Sequence, residues 1–309
     1  MGKDLMEYFK IVQSLIDEIK NIILDKEKQI KLALTCFLAK GHLLIEDVPG
    51  TGKTTLVKVM SKLLGLEFKR IQCTNDLLPG DILGSYIFDV QKRRFFFHQG
   101  PIFSNIVLID EINRATPKTQ SGLLEAMAER QVTIEGNTHV LPEPFFVVAT
   151  QNPKEQAGTY PLPESQIDRF MLKISLGFPS KNAEKTLLKW GNIDDKLNSL
   201  TPIVTREQIL SMQNKLGEVV VSDAIIDYIG EIVEYTRNTN QFKYGLSTRA
   251  SFMLLCAVKA WAFIHGRNFV LPEDVKEMIV WVGNHRLKSY EAQDPFYIID
   301  KMLKTIPIP

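Results

Sequence analysis

The run Leu43-Leu44-Ile45-Glu46-Asp47-Val48-Pro49-Gly50-Thr51-Gly52-Lys53-Thr54-Thr55 limits what this chain can fold into more than any other stretch. Its apolar start reads as a short buried strand, its two glycines as a turn, and Lys-Thr-Thr as the opening of a helix. A turn containing Gly50 and Gly52 can aim successive backbone N–H groups inward, and the helix behind it adds the positive end of its dipole. Lys53 can then reach β- and γ-phosphate oxygens, and the Thr54 hydroxyl can ligate Mg²⁺. The residues expected to hold a polyphosphate are therefore Pro49, Gly50, Thr51, Gly52, Lys53, Thr54 and Thr55. An ordinary glycine turn between strand and helix is the competing reading.

The strict phosphate-loop pattern G-x-x-x-x-G-K-[ST] would place glycine where this chain has Asp47. Asp tolerates positive φ, so the backbone can still turn there, provided that the carboxylate faces away from the phosphates.

With 309 residues, 45% of them apolar and 24% charged, the chain is long enough for a large α/β core and a second, smaller domain of a soluble protein. Its 37 basic and 36 acidic residues give a net charge of +1, which creates no overall field to gather nucleic acid or an anionic membrane. Near the N-terminus, Phe9, Val12, Leu15, Ile16, Ile19 and Ile23 recur on one face between charges, as in an amphipathic helix rather than a signal peptide. The apolar stretch from Phe252 to Ile264 is broken by Lys259 and falls short of the roughly 20 residues of a membrane span. Gly2 lacks the Ser or Thr that myristoylation needs at the position held by Met6. Cys36, Cys73 and Cys256 are few and far apart, which suits a reducing cytoplasm and small core residues. The histidines His42, His98, His139, His265 and His285 show no metal-ligand spacing.

From residue 40 to about 176, short apolar runs alternate with helical patterns: HLLIE, FKRIQCT, IVLID, FFVVAT and MLKISL read as a parallel sheet with covering helices. Two segments interrupt it as β-hairpin insertions, YIFDV with RRFFFHQG, and QVTIEG with THVLP. After Gly177-Phe178-Pro179 only helical patterns remain. Thr205 with Gln208, Ser222 with Asp223, and Pro272-Glu273-Asp274 mark helix starts there.

Ile106 to Glu111 is an apolar strand ending in two acids, expected one sheet strand further along than the Lys53 loop. Asp110 would hold Mg²⁺ through water and Glu111 would orient the attacking water; a strand that merely ends in acids is the plainer alternative. Phe145 to Pro153 is a second such strand, where Asn152 either meets the γ-phosphate or starts an Asn-Pro turn. Arg169 follows PLPESQID and, alone, would be a routine salt-bridging residue. Arg249 falls in the first turn of an apolar helix, where the dipole disfavours a cation, so it needs a partner and phosphate is one candidate.

The order of EDVPGTGKTT, VLIDEINRA, ATQNPKEQAGTYPLPESQIDRF and GLSTRA resembles the MoxR group of AAA+ ATPases across nearly the whole chain. The resemblance implies that Lys53 and Thr54 belong to Walker A, Asp110 and Glu111 to Walker B, Asn152 to sensor 1, Arg169 to the arginine finger and Arg249 to sensor 2. It makes Asp47 a tolerated variant. It also implies an α/β fold: a five-stranded parallel AAA+ core over residues 1–178 with N-terminal helix, helix-2 insertion and pre-sensor-1 hairpin, then a helical lid over 179–309. ATP and Mg²⁺ are the implied cofactors. A ring, usually hexameric, would hold nucleotide between neighbouring subunits, so isolated subunits should be poor catalysts.

The leading functional expectation is a ring-forming MgATPase that remodels or matures a protein client. Similar proteins often act with partners bearing von Willebrand factor A domains. A nucleic-acid motor is the alternative, because replicative helicases share both insertions; near-neutral charge counts against it. A non-hydrolysing scaffold is disfavoured by the presence of Glu111, Asn152 and Arg169. The run Gln91 to His98 could touch a partner or single-stranded nucleic acid, but the preferred reading packs its alternate phenylalanines on a core and leaves its cations solvated.

Overall fold

A computed structural model describes residues 3–152, 158–291 and 293–308. Its strands are β1 (Leu43–Glu46), β2 (Phe68–Gln72), β3 (Gly84–Asp89), β4 (Arg94–Gln99), β5 (Ile106–Asp110), β6 (Gln131–Ile134), β7 (Asn137–Val140), β8 (Phe146–Gln151) and β9 (Leu172–Ile174). Around them lie helices α1 (Lys3–Lys20), α2 (Glu27–Leu38), α3 (Lys53–Leu63), α4 (Pro79–Leu83), α5 (Pro117–Glu129) and α6 (Glu164–Ile167). The remainder is helical: α7 (Lys181–Trp190), α8 (Ile193–Asn198), α9 (Arg206–Lys215), α10 (Asp223–Asn238), α11 (Thr248–Ile264), α12 (Pro272–Gly283) and α13 (Pro295–Thr305).

Five strands pair in parallel in the order β2-β5-β8-β1-β9. The sheet is covered on both faces, which is why its central strands read as unbroken apolar runs. Side chains alternate with period two between two cores. Leu43, Ile45, Leu108, Phe146 and Val148 face the core that contains α1 to α3, while Leu44, Val107, Ile109, Val147 and Ala149 face the one that contains α5. The order places β8 between β1 and β5, so the acidic strand lies two positions from the glycine-loop strand rather than one. Sequence order did not reveal this, because the strand that fills the gap arrives later in the chain.

The core beside α1 to α3 continues without a break into the C-terminal helices: Val12, Leu15 and Ile16 of α1 share it with Ala257, Phe263 and Ile279. The expected helix starts are present, with Thr205 accepting from Gln208 N, Ser222 from Ile225 N, and Pro272 as first residue of α12. Among the described residues no helix is long and apolar enough to cross a membrane.

Both insertions are two-stranded antiparallel hairpins, β3–β4 and β6–β7. They are joined at their bases, where His139 stacks on Phe97 with ring centroids 3.8 Å apart and is hydrogen-bonded to the Tyr86 hydroxyl at 3.3 Å. The expectation that alternate phenylalanines of β4 pack inward holds for Phe97 but not for Phe95. Phe95 is 66% exposed and Phe96 42% exposed, because the distal half of the hairpin extends beyond the body that could cover it. Cys36 and Cys73 are buried, but Cys256 lies on the outer side of α11 near exposed Phe252 and is exposed, contrary to its expected core role.

Candidate nucleotide site

Parallel pairing brings the carboxyl ends of β1, β2, β5 and β8 to one edge: Glu46 is level with Gln151, and Gln72 with Asp110. The glycine loop leaves β1 at that edge and turns into α3. Gly50 and Gly52 have φ of +83° and +87°, which glycine adopts without a steric cost, and Gly52 is the residue that caps α3. Nothing lies within 4 Å of a Cβ built at either glycine, so the loop faces open space. That space is a cavity of about 430 Å³ walled by Pro49 to Thr55 on one side and by Asp110, Glu111 and Asn152 on the other.

Lys53 is buried at the cavity floor, and its Nζ donates to the carbonyl oxygens of Asp47 at 3.0 Å and Val48 at 2.7 Å. Burial holds its ammonium pKa below the ordinary lysine value, against the opposing pull of Asp47, Asp110 and Glu111. Asp47 is absent from the residues with positive φ, so the expected left-handed turn at this position does not occur. Its carboxylate does face away from the cavity. One oxygen accepts from Val48 N at 2.8 Å, and the other from Leu176 N at 2.8 Å, Gly177 N at 2.6 Å and Ser175 Oγ at 3.2 Å. Asp47 thus pins the loop to the chain leaving β9, a task glycine could not perform.

Opposite the loop, the Thr150 hydroxyl donates to Asp110 Oδ1 at 2.6 Å and accepts from Glu111 N at 2.9 Å. Glu111 has φ +55°, a left-handed conformation unusual for a side-chain-bearing residue, which turns its carboxylate off the strand line. Glu111 Oε1 accepts from Asn152 Nδ2 at 3.3 Å, and Oε2 from Gln72 Nε2 at 3.1 Å and Arg114 Nη1 at 3.2 Å. The two acids have different surroundings. A hard divalent cation takes oxygen ligands, and the Thr54 hydroxyl and Asp110 carboxylate supply them from facing walls. These residues fit Mg²⁺.

Arg169 and Arg249 are not among the described residues that line this cavity. Arg169 Nη1 donates to the Leu124 carbonyl at 2.5 Å, and its Nε is buried with no hydrogen-bond partner among the described residues. Arg249 Nη1 stands 3.4 Å from Asp168 Oδ2. The turn expected at Pro153 lies outside the described residues.

Sequence reading missed Arg70 and Gln72, which line the cavity from the end of β2. Their period-two spacing in FKRIQCT was the available signal, but no motif marked it. Thr150 was hidden by reading FFVVAT as strand alone, and Asp168 by its place beside Arg169.

The family model for the "ATPase family associated with various cellular activities (AAA)" matches residues 42–172, and that for the AAA lid domain matches 234–302. Chaperone MoxR1 of Mycobacterium tuberculosis is 38% identical over 312 aligned residues, covering 96% of this chain and 82% of that protein. YeaC of Bacillus subtilis is 41% identical over 299, covering 95% and 93%. The crystal structure of a Cytophaga hutchinsonii protein assigned as an ATPase superposes with a TM-score of 0.92 at 39% identity, covering 99% of this chain and 97% of that one. Together with the strand order, the glycine cradle and the paired acids, these likenesses show that the chain belongs to the MoxR family of AAA+ ATPases.

Proposed function

We propose that this protein hydrolyses ATP in the cavity between the glycine loop and the tips of β5 and β8, and uses the energy to remodel a protein client. The observation that carries the reading is the facing of two unlike walls, N–H groups and Lys53 on one, Asp110, Glu111 and Asn152 on the other. The loop N–H groups and Lys53 bind the β- and γ-phosphates, with phosphate oxygens taking over from the Asp47 and Val48 carbonyls that Lys53 contacts. Thr54 and Asp110 hold Mg²⁺, which when bound neutralises charge on the phosphoryl oxygens. Glu111, steadied by Gln72 and Arg114, orients the attacking water, and Asn152 holds Glu111 and the γ-phosphate in register.

Arg169 acts on a neighbouring subunit's nucleotide in a ring, which a hexamer would provide, and Arg249 closes the lid side of the site. Supporting the role of Arg169 is its absence from the described lining of its own chain's cavity, together with a buried Nε that has no hydrogen-bond partner among the described residues. Residues 1–178 serve as the nucleotide-binding core and 179–309 as the lid, in the cytoplasm. The client is a protein, with a von Willebrand factor A domain protein as a candidate partner. The exposed Phe95 and Phe96 give the β3–β4 hairpin a surface to engage it.

Parallel nucleotide-binding and turnover measurements test this reading. Lys53→Ala should lose binding, whereas Glu111→Gln should keep ATP and lose turnover by about a hundredfold or more. Equal loss of binding in both would refute the division of roles. Strong, salt-sensitive stimulation by single-stranded DNA would favour a nucleic-acid motor instead.

A further inference from the structure

Both carboxylate oxygens of Asp110 are engaged by protein donors, Oδ1 by the Thr150 hydroxyl and Oδ2 by Arg70 Nη2, each at 2.6 Å. The same Nη2 donates to Gln72 Oε1 at 2.7 Å. Gln72 in turn donates to Glu111 Oε2 at 3.1 Å, and Asn152 to Glu111 Oε1 at 3.3 Å. Arg70 and Gln72 stand two residues apart on β2, so one face of this edge strand carries both toward the tip of β5. A single hydrogen-bonded chain therefore runs Asp110, Arg70, Gln72, Glu111, Asn152.

A hydroxyl and a guanidinium differ in what they do to a metal-binding carboxylate. Thr150 donates to one oxygen and leaves the charge of Asp110 intact. Arg70 brings a full positive charge to the other oxygen, and a divalent ion seated there would lie within a few ångströms of it, where like charges repel. The Arg70 side chain is 47% exposed, so it has room to leave, whereas Asp110 at 14% is fixed.

We propose that Arg70 is a positioning residue that competes with the divalent cation for Asp110 and, through Gln72, links that competition to the orientation of Glu111. The inference rests on the reading that Asp110 holds the ion. A cation held by Asp110, directly or through water, would displace the guanidinium from Oδ2, which would remove one of the partners of the Gln72 amide and leave Gln72 to Glu111. Arg70 thereby raises the cation concentration at which the site fills and ties filling to the water-orienting acid.

The test is Mn²⁺ affinity of the full chain saturated with ADP, read from the electron paramagnetic resonance of free Mn²⁺. Arg70→Ala and Arg70→Gln should each bind Mn²⁺ about threefold to tenfold more tightly than the parent. The Gln variant removes the charge and keeps an amide donor on a shorter side chain, so its agreement with Ala assigns the effect to loss of the guanidinium rather than to loss of every donor. Arg70 is half exposed on an edge strand, and circular dichroism establishes that both variants fold. Unchanged or weaker Mn²⁺ binding in both, with Asp110→Asn losing Mn²⁺, would overturn the proposal alone. If Asp110→Asn bound Mn²⁺ like the parent, the underlying reading of Asp110 would fall and the proposal with it.

Discussion

Asp168 and Arg286 meet across the junction between the sheet and the helices that follow it: Arg286 Nε donates to Asp168 Oδ1 at 2.8 Å, and its Nη2 to the Asp168 carbonyl at 2.9 Å. Ser247, which caps α11, donates to the same carboxylate, and Arg249 stands beside it. One acid next to Arg169 therefore fastens the start of α11 and the turn after α12 to the segment between α6 and β9. Arg286 is only 5% exposed, and burial pulls its pKa down while Asp168 pulls it up.

Removing the carboxylate leaves a buried guanidinium without its counter-charge. Asp168→Ala should lower stability by about 3 kcal/mol in urea unfolding. A second change, Arg286→Met, should recover part of that loss, because the stranded charge goes with it; strictly additive losses would place the stabilisation elsewhere.

The departure of this loop from the strict phosphate-loop pattern has a structural cause, and restoring the pattern should do harm. Asp47→Gly makes the sequence conform but leaves the Leu176 and Gly177 N–H groups without their acceptor. We expect a loss of about 2 kcal/mol or more in stability and weaker nucleotide binding. A variant as stable as the parent would mean that water replaces the carboxylate.

His42 lies buried just before β1, with Nδ1 accepting from Val147 N at 3.0 Å and Nε2 against the Met127 carbonyl at 3.2 Å. Burial lowers its pKa to about 4. A histidine whose folded pKa is depressed binds its proton first in the unfolded chain. Its contribution to stability is whole above the unfolded value of about 6.5, and is lost as pH falls from there to the folded value. Between pH 7 and pH 5 this amounts to about 2 kcal/mol. Stability curves should be flatter by that amount in His42→Gln; identical slopes would show that His42 is not the titrating group. His285, also buried and lowered by burial, adds a loss of the same sign that the variant retains.

Much of this architecture was legible in the sequence because periodicity and punctuation carry it. The buried strands, both hairpins, the caps at Thr205 and Ser222 and the glycine loop each depend on a few adjacent residues. What was not legible depends on pairing between distant segments. The position of β8 between β1 and β5, the anchoring of Asp47 to residues 175–177, and the carboxylate that meets Arg249 all require knowing which strands are neighbours. Exposure of Phe95 and Phe96 escaped notice for a related reason, since alternation marks a face but not whether anything covers it.

Arg169 gives a prediction that separates a shared site from a self-contained one. Arg169→Ala should keep nucleotide binding and lose turnover by about a thousandfold or more if its guanidinium serves a neighbour's γ-phosphate. Mixing it with Glu111→Gln subunits should restore part of the activity, because some interfaces then pair an intact Glu111 with an intact Arg169. Absence of any recovery in co-assembled mixtures would argue that each chain completes its own site.

Where a triphosphate sits is tested directly by a crystal structure of the Glu111→Gln protein with ATP and Mg²⁺. It should place the β- and γ-phosphates against the N–H groups of Gly50 to Thr54, with the metal between Thr54 and Asp110. Nucleotide bound elsewhere on the chain, or a cavity filled by the protein's own side chains under saturating ATP, would contradict it.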